Sequence, residues 1–462
     1  MPKNDVLIFY GTFSKGQAYD WIPYGPIFVS ELVRSAGFNP VLIHEYKDGN
    51  YEGTIRKHAK NALVFGVSAM TGYQLESGIK AVEIFRKYSQ DDTPVIFAGA
   101  HATADPYGTL NSGIADYVYV GQVGNNFIDF LNALKEGKNS EIQITDILSL
   151  DYFRNLNTHR YCLKSRSLDL SVFPASNLEN YDFSYLLTPN MVLNYTASIG
   201  CYGRCTFCSW GGGAHSWVAL PIKRVINDIK GLVRKYNLSS IWFCDSSLTA
   251  RKSYLLELAQ GLVDEDLNIY WRCNGRAQEL KGFTKQDYAL LEMAGLDRFF
   301  VGVENVNPRI QKAYSKVVNP DMLTKIITDI RDFDIQIMLS FIFGNPVGPL
   351  TDLEENKAYL DKWRLINSKV KFQNCFYTPY PGTPLAELAA EKGYKVPLNL
   401  EGYASDSYFL DVDRFNINAG IPWFSPEEYS DYIKRYHKLF SKTDCSADWN
   451  WRKEALRAFK KS

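Results

Sequence analysis

The chain has 462 residues, enough for two or three domains, and it carries 51 lysines plus arginines against 51 aspartates plus glutamates. A net charge of zero argues against a nucleic-acid binder, which normally has a basic surplus. No apolar run approaches the roughly 18 residues of a membrane span, and the N-terminus lacks a signal-peptide core, so we expect a cytoplasmic protein without a membrane segment. In that compartment the eight cysteines are expected to be thiols or metal ligands rather than disulfides.

Residues 1–135 alternate short apolar runs with helical patterns such as Ile27–Ala36 and Leu75–Tyr88. Apolar strands separated by helices predict a parallel sheet covered on both faces, in a Rossmann-like or flavodoxin-like α/β domain. Such sheets bind ligands at the carboxyl ends of their strands, where this sequence has glycines and small residues. The predicted strands are Val6–Phe9, Pro40–His44, Leu63–Ser68, Val95–Ala98 and Tyr117–Val120.

Residues 136–190 are less regular, and Asp169–Asn190 has no clear period, which predicts a linker. A second βα series fills residues 191–392, and its six units are too few for a complete eight-unit barrel. We therefore expect a partial (β/α)6 TIM-type barrel with its site at the carboxyl ends of the strands. Residues 393–462 are expected to form a small, mainly helical C-terminal region. The predicted strands are Val192–Ser198, Ile241–Asp245, Ile269–Arg272, Phe299–Val303, Ile337–Phe343 and Phe372–Tyr377.

A compact cysteine motif follows the first strand of the second series. Cys201, Cys205 and Cys208 have the spacing Cys-x3-Cys-x2-Cys, which lets one loop wrap an iron–sulfur cluster through thiolate ligands. Only three ligands are local, so one iron is left free for another molecule. Zinc is the main competitor, because Cys244 and Cys273 on other strands could complete a tetrahedral site, although both also suit ordinary buried thiols.

This motif, with the aromatic Phe207 before its last cysteine, resembles the signature of the radical S-adenosylmethionine (SAM) superfamily. The resemblance implies that Cys201, Cys205 and Cys208 hold a [4Fe-4S] cluster whose free iron binds SAM. Reductive cleavage would then give methionine and a 5′-deoxyadenosyl radical, a chemistry that only a cofactor can supply. A one-electron donor such as flavodoxin or ferredoxin is implied as a partner.

Other strand ends resemble segments that contact SAM in this family. The resemblance implies SAM-binding roles for Glu304 after its strand, for Asp245 at the second strand and for Gly344 after the fifth strand. Arg272 and Arg276 flank the third strand end and could pair with the SAM carboxylate. Each position also has an ordinary reading, as a helix cap, a structural ion pair or a turn.

A radical SAM core preceded by a Rossmann-like domain resembles the cobalamin-dependent branch of the superfamily. The resemblance implies cobalamin contacts at Ser68, Gly99, Gly121 and Gly124, since glycine permits the backbone to approach a large flat ligand closely. Many members have an acidic residue after the glycine that corresponds to Gly121, and this chain has Gln122 there.

The sequence also bears on how the cobalt would be held. The Asp-x-His-x-x-Gly motif that supplies a lower axial histidine in classical cobalamin enzymes is absent. His44 and His101 are the candidates near strand ends, and we read both as structural residues. Cobalamin is therefore expected to bind without a histidine ligand.

Together these resemblances imply a cobalamin-dependent radical SAM methyltransferase acting on an unactivated sp3 carbon of a peptide or protein residue or of a small natural product. One SAM would methylate cobalamin, giving methylcobalamin, and a second would generate the radical that removes the substrate hydrogen. The first alternative is a radical cyclase, ring-contracting or oxidising enzyme with cobalamin in electron transfer. The second alternative is a non-catalytic cobalamin-binding regulator.

Overall fold

The computed structural model describes residues 3–12, 21–90, 92–137, 161–164, 178, 181–187, 192–209, 216–348, 351–404 and 421–440. The strands are β1 (Asp5–Tyr10), β2 (Asn39–His44), β3 (Ala62–Ser68), β4 (Val95–Ala98), β5 (Tyr117–Val120), β6 (Tyr161–Lys164), β7 (Val192–Tyr195), β8 (Ser198–Gly200), β9 (Trp217–Ala219), β10 (Ser240–Phe243), β11 (Tyr270–Arg276), β12 (Leu296–Glu304), β13 (Gln336–Phe343) and β14 (Val370–Phe376).

The helices are α1 (Tyr24–Ser35), α2 (Tyr51–His58), α3 (Tyr73–Tyr88), α4 (Ala100–Ala104), α5 (Pro106–Asn111), α6 (Asn126–Lys135), α7 (Ile222–Tyr236), α8 (Lys252–Asp264), α9 (Ala277–Leu280), α10 (Lys285–Met293), α11 (Pro308–Ala313), α12 (Pro320–Ile330), α13 (Asp352–Ile366), α14 (Pro384–Glu391), α15 (Leu400–Ala404) and α16 (Pro426–Leu439). None of these described helices is both long and apolar enough to cross a membrane.

The chain divides into two compact units, the first comprising residues 1–177, 380–383 and 395–409 and the second the remainder. The first unit contains a parallel sheet of strand order β2-β1-β3-β4-β5-β6. The order of the first five strands is that of flavodoxin-like folds, which confirms the predicted fold class of this unit. The edge strand β6 was not predicted, because a four-residue edge strand inside a stretch without period leaves no clear signal in the sequence.

Burial on both faces of the first sheet explains why its strands read as continuous apolar runs. Successive side chains point to opposite faces, yet Leu7, Ile8 and Phe9 of β1 are all buried. On one side the rings of Phe65 and Phe85 stack with centroids 4.5 Å apart, which joins β3 to α3. Each such large apolar side chain contributes about 1.5–3 kcal/mol on burial.

The second unit contains a parallel sheet of order β14-β13-β12-β11-β10-β7, which confirms the predicted partial barrel. One face is apolar and buried, with Trp271 of β11 donating from its indole nitrogen to the carbonyl of Ala294 after α10. The alternate residues of these strands include the polar Asn274, Arg276 and Ser340 as well as the apolar Trp242 and Phe300. The sheet therefore has an apolar core face and a mixed face opposite to it.

The C-terminal region is mainly helical where the structure describes it, and it packs in two places. In the first unit the backbone N–H of Gly72 donates to the carbonyl of Tyr403 in α15. In the second unit the ring of Tyr436 in α16 lies 5.9 Å from Phe343 and 5.3 Å from Phe376. Helix α16 is therefore part of the core around the last two strands of the barrel.

Candidate functional site

The three predicted cluster ligands lie on one loop directly after β8. Cys201, Cys205 and Cys208 are partly exposed, whereas Cys273 is fully buried. The loop is held by Thr206, whose N–H donates to the carbonyl of Tyr314 at 3.0 Å and whose hydroxyl donates to that of Ala313 at 2.6 Å. The three thiols are thus presented on a loop fastened to the end of α11.

This donor set fits a cluster better than a single metal ion. Among the described residues no three His, Cys, Asp or Glu side chains, the three loop cysteines included, are placed to share one metal ion. A cubane is larger and takes thiolates spread over a loop, which is what this loop supplies. Burial raises the pKa of the Cys205 thiol, while the nearby charges of Lys316 and Arg276 lower it and favour the thiolate.

Arg276 is the last residue of β11 and lies against the cysteine loop. A side-chain atom added at Gly203 would come within 3.2 Å of its Nη1 and 3.3 Å of the Sγ of Cys201. The N–H of Gly203 donates to that sulfur at 3.3 Å. The Nε of Arg276 is buried without a hydrogen-bond partner among the described residues, so this guanidinium has donor capacity beside the cluster loop.

Glu304 ends β12 at the same edge of the sheet. Its carboxylate forms an ion pair with a lysine that was not predicted as a site residue. The Nζ of Lys316 lies 2.6 Å from the Oε1 of Glu304, and both side chains are only 8% exposed. Glu304 has a positive φ of 64°, at a point where the register between β12 and β13 shifts. The ion pair lies directly over Gly302, where any side chain would collide with both partners.

Asp245 follows β10 and is 1% exposed. Its carboxylate accepts a hydrogen bond from the N–H of Ala197 at 3.2 Å and another from the hydroxyl of Ser198. Burial raises its pKa to about 6. Asp245 therefore fixes the chain at residues 197 and 198, where the single predicted strand Val192–Ser198 is interrupted between β7 and β8. The cysteine loop follows directly after β8.

Arg272 lies in the interior of a strand that was predicted to end there, because β11 continues to Arg276. Four residues of parallel strand place the two arginine Cα atoms about 13 Å apart. Arg272 is 2% exposed, lies over the ring of Trp242 at 5.8 Å and has Nη2 3.9 Å from Asp297. Only Arg276 of the two lies at the carboxyl end of β11.

Gly344 follows β13, and both of its backbone groups are engaged by the C-terminal segment. Its N–H donates to the hydroxyl of Tyr432 at 3.2 Å, and its carbonyl accepts from the indole N–H of Trp423 at 3.1 Å. Phe207 packs edge-to-face on Tyr314 with ring centroids 5.0 Å apart. Phe207 thus anchors the cysteine loop, and Gly344 belongs to a turn that is held by the C-terminal segment.

In the first unit the residues predicted to contact cobalamin gather at neighbouring strand ends. Ser68 ends β3, Gly99 follows β4, and Gly121 and Gly124 follow β5, and all four are at least partly exposed. Gly99 has φ of 95°, and a Cβ there would be 2.8 Å from the carbonyl oxygen of Ala69. The row of small, accessible residues fits a large ligand. A glycine at 99 is also required by its positive φ and by the close approach of the Ala69 carbonyl.

The two histidines near these strand ends are buried. His44 is 2% exposed and packs edge-to-face on Tyr10 at 5.3 Å. His101 is 1% exposed, with Nδ1 2.9 Å from the hydroxyl of Thr71 and Nε2 buried without a hydrogen-bond partner among the described residues. Burial lowers the pKa of His101 to about 3, so it is neutral at physiological pH.

Four residues of the second unit were missed by sequence reasoning: Lys316, Asn305, Asp352 and Tyr432. They adjoin Glu304 and Gly344, but in the sequence they read as an ordinary loop lysine, a loop asparagine, an acidic residue in the first turn of a helix and a helical tyrosine. A surface cavity of about 620 Å³, lined by Asn227, Lys230, Gly231, Arg234 and Lys235, lies on α7 and includes none of the predicted site residues.

Comparisons with known proteins agree with this geometry. Residues 195–359 match the Radical SAM superfamily. An uncharacterized methyltransferase of Pyrococcus horikoshii is 22% identical over 355 residues, covering 76% of this chain and 74% of that protein. An anaerobic magnesium-protoporphyrin IX monomethyl ester cyclase of Rubrivivax gelatinosus is 24% identical over 197 residues, covering 43% of this chain and 34% of that protein.

A solved structure extends the likeness over both units. The radical SAM methyltransferase TsrM from Kitasatospora setae, with cobalamin and a [4Fe-4S] cluster bound, aligns with a TM-score of 0.63 at 13% identity, covering 85% of this chain and 79% of that chain. Residues 195–359, which carry the cysteine loop at the edge of the partial barrel, are therefore similar to radical SAM enzymes. The fold of the chain is similar to that of TsrM.

Proposed function

We propose that this protein is a cobalamin-dependent radical SAM methyltransferase that methylates an unactivated sp3 carbon. The observation that carries the proposal is the arrangement at one edge of the second unit, where the three-cysteine loop lies beside Arg276 and close to the Glu304–Lys316 pair. When bound, the cluster supplies the electron that cleaves SAM, and cobalamin carries the methyl group.

The chain's own residues would bind and orient these groups. Cys201, Cys205 and Cys208 would hold the cluster as thiolates. Arg276 would bind the SAM carboxylate, because its guanidinium has donor capacity beside the loop. Glu304 would bind the SAM amine. Asp245 would act through the backbone of residues 197 and 198 as a positioning residue.

The first unit would bind cobalamin at the carboxyl ends of β3, β4 and β5. Ser68, Gly99, Gly121 and Gly124 are small residues on neighbouring strand ends, and this supports a large ligand there. The burial of both His44 and His101 supports a cobalt without a histidine ligand. A histidine nitrogen coupling in the spectrum of cob(II)alamin bound to the protein would contradict that part of the proposal.

The experiment uses the full chain, reconstituted anaerobically with iron, sulfide and cobalamin, and given a chemical reductant and methyl-deuterated SAM. Both S-adenosylhomocysteine and 5′-deoxyadenosine should form, and the deuterated methyl group should appear on cobalamin. With the true substrate the two products should form in about equal amounts, as a two-step use of SAM requires. Substrate deuterated at the target carbon should transfer deuterium to 5′-deoxyadenosine.

Other outcomes identify the alternatives. 5′-Deoxyadenosine without S-adenosylhomocysteine would support a radical cyclase or oxidising enzyme, and one of the relatives is named as a cyclase. S-adenosylhomocysteine without 5′-deoxyadenosine would indicate polar methyl transfer. A preparation that binds cobalamin and forms neither product would support a regulator.

Two further parts of the proposal concern the surroundings of the enzyme. A one-electron donor such as flavodoxin or ferredoxin would reduce the cluster in the cell. Because thiolate ligands persist under reducing conditions, we place the reaction in the cytoplasm. The substrate would be a small natural product or a peptide or protein residue.

A further inference from the structure

The buried ion pair between Glu304 and Lys316 lies beside the cysteine loop in a fixed arrangement. The backbone N–H of Lys316 donates to the carbonyl of Gln311 at 3.1 Å. The side-chain amide of Gln311 donates in turn to the carbonyls of Asn305 and Val318, both at 2.8 Å. Glu304 and Lys316 are therefore held opposite each other by the segment between β12 and α12, which includes α11.

Lys316 is also tied to the cysteine loop through the backbone. Thr206, the neighbour of Cys205, bonds to the carbonyls of Ala313 and Tyr314, two to three residues before Lys316. The lysine is 7% exposed, so water screens its charge poorly.

The physical consequence concerns the electron that the cluster receives. Reduction adds one electron, supplied by a one-electron donor, and makes the cluster more negative without breaking any bond. A nearby positive charge stabilises the reduced form and raises the reduction potential, and a nearby negative charge lowers it. Lys316 and Glu304 therefore shift the reduction potential of the cluster in opposite directions.

Building on the proposed function, we propose that Lys316 tunes the reduction potential of the iron–sulfur cluster held by Cys201, Cys205 and Cys208, and that Glu304 offsets it. Lys316 is a positioning residue in this inference, since it acts on the cluster through its charge. The two charges of the buried pair offset each other, so the loss of either partner shifts the potential in a defined direction.

The test is an EPR-monitored redox titration of the reconstituted full chain without SAM, which removes any role of Glu304 in SAM binding. Lys316→Met should lower the midpoint potential, Glu304→Gln should raise it, and the double variant should return close to wild type. Lys316→Arg, which keeps the charge, should restore most of the wild-type value. Lys312→Met is the matched control, because Lys312 lies four residues away and is exposed, and it should leave the potential unchanged.

The outcomes separate this inference from the proposed function. A wild-type chain that takes up no cluster would overturn the proposed function and this inference with it. A cluster whose potential is the same in wild type and in Lys316→Met would overturn the inference alone. If Lys316→Met does not fold because Glu304 is left buried and unpaired, the midpoint potential of Glu304→Gln is compared with that of the double variant. These two proteins differ only in the charge of Lys316, so the double variant should have the lower potential. Equal potentials in the two would overturn the inference.

Discussion

The hydroxyl of Tyr432 donates a 2.9 Å hydrogen bond to Oδ1 of Asp352, which joins α16 to the first residue of α13. The same hydroxyl accepts from the N–H of Gly344, and Oδ2 of Asp352 accepts from the side chain of Asn305 at 3.0 Å. Because Asn305 follows Glu304 directly, one buried network links the ends of β12 and β13. The C-terminal helix therefore supports the edge of the barrel that carries the candidate SAM residues.

Tyr432→Phe should lower the free energy of unfolding by about 1–3 kcal/mol, because it leaves a buried carboxylate oxygen and the Gly344 N–H without their partner. Tyr314→Phe is the control. The Tyr314 hydroxyl is also buried, but it has no hydrogen-bond partner among the described residues, so its loss should change stability by less than about 0.5 kcal/mol. Urea unfolding of the full chain measures both, and equal effects would mean that the network does not stabilise the fold.

Replacing Cys201, Cys205 and Cys208 together with alanine should abolish the brown absorbance of reconstituted protein, which otherwise should carry about four irons per chain. Cys244→Ala should keep the iron, because Cys244 lies on another strand end and its thiol bonds to the carbonyl of Trp242. Iron and sulfide analysis of both variants checks this. Iron retained by the triple variant would show that the ligands lie elsewhere.

Gly99→Ala should destabilise the first unit by about 1–3 kcal/mol, because alanine must adopt a left-handed φ there and its methyl group meets the carbonyl of Ala69. Gly124→Ala should change stability by less than about 0.5 kcal/mol, since its nearest neighbour would be 3.7 Å away. Cobalamin binding, followed by absorbance, should fall in both variants. Normal binding by Gly124→Ala would remove Gly124 from the cobalamin site.

His101 should make stability depend on pH. Its folded pKa of about 3 lies below its unfolded value of 6.5, so its neutral form stabilises the fold fully above pH 6.5, and that contribution is lost as pH falls toward 3. Relative to His101→Asn, the wild-type chain should lose up to about 1.4 kcal/mol per pH unit in this window. Urea unfolding of both proteins between pH 7 and pH 5 measures the difference between their free energies of unfolding. The contributions of the other titrating groups cancel in this difference. Parallel pH profiles would contradict the prediction.

Asp245→Ala should weaken iron retention and destabilise the second unit by about 1–3 kcal/mol, because it frees the Ala197 N–H and the Ser198 hydroxyl. Ser198→Ala should reproduce part of this effect, and the two changes should be non-additive by about 0.5–3 kcal/mol if they share one interaction. SAM affinity decides the role of Asp245. A loss of affinity in Asp245→Ala that Ser198→Ala does not share would indicate direct contact with SAM.

The sequence by itself determined most of the strands, the fold class of both units and the cysteine loop. These features are local: a strand buried on both faces needs a continuous apolar run, and the spacing of Cys201, Cys205 and Cys208 lies within eight residues. The same reasoning placed Glu304 and Arg276 at strand ends, because parallel strands of a barrel bring their carboxyl ends to one edge.

Only the tertiary structure decided which distant groups meet at that edge. Nothing near Lys316 in the sequence indicates that it is buried against Glu304, and nothing in the C-terminal region indicates that Tyr432 holds Gly344. The continuation of β11 past Arg272 depends likewise on pairing with β12. Hydrophobic periodicity encodes which face of an element is buried, whereas the partner of a buried polar group depends on contacts between segments far apart in the chain.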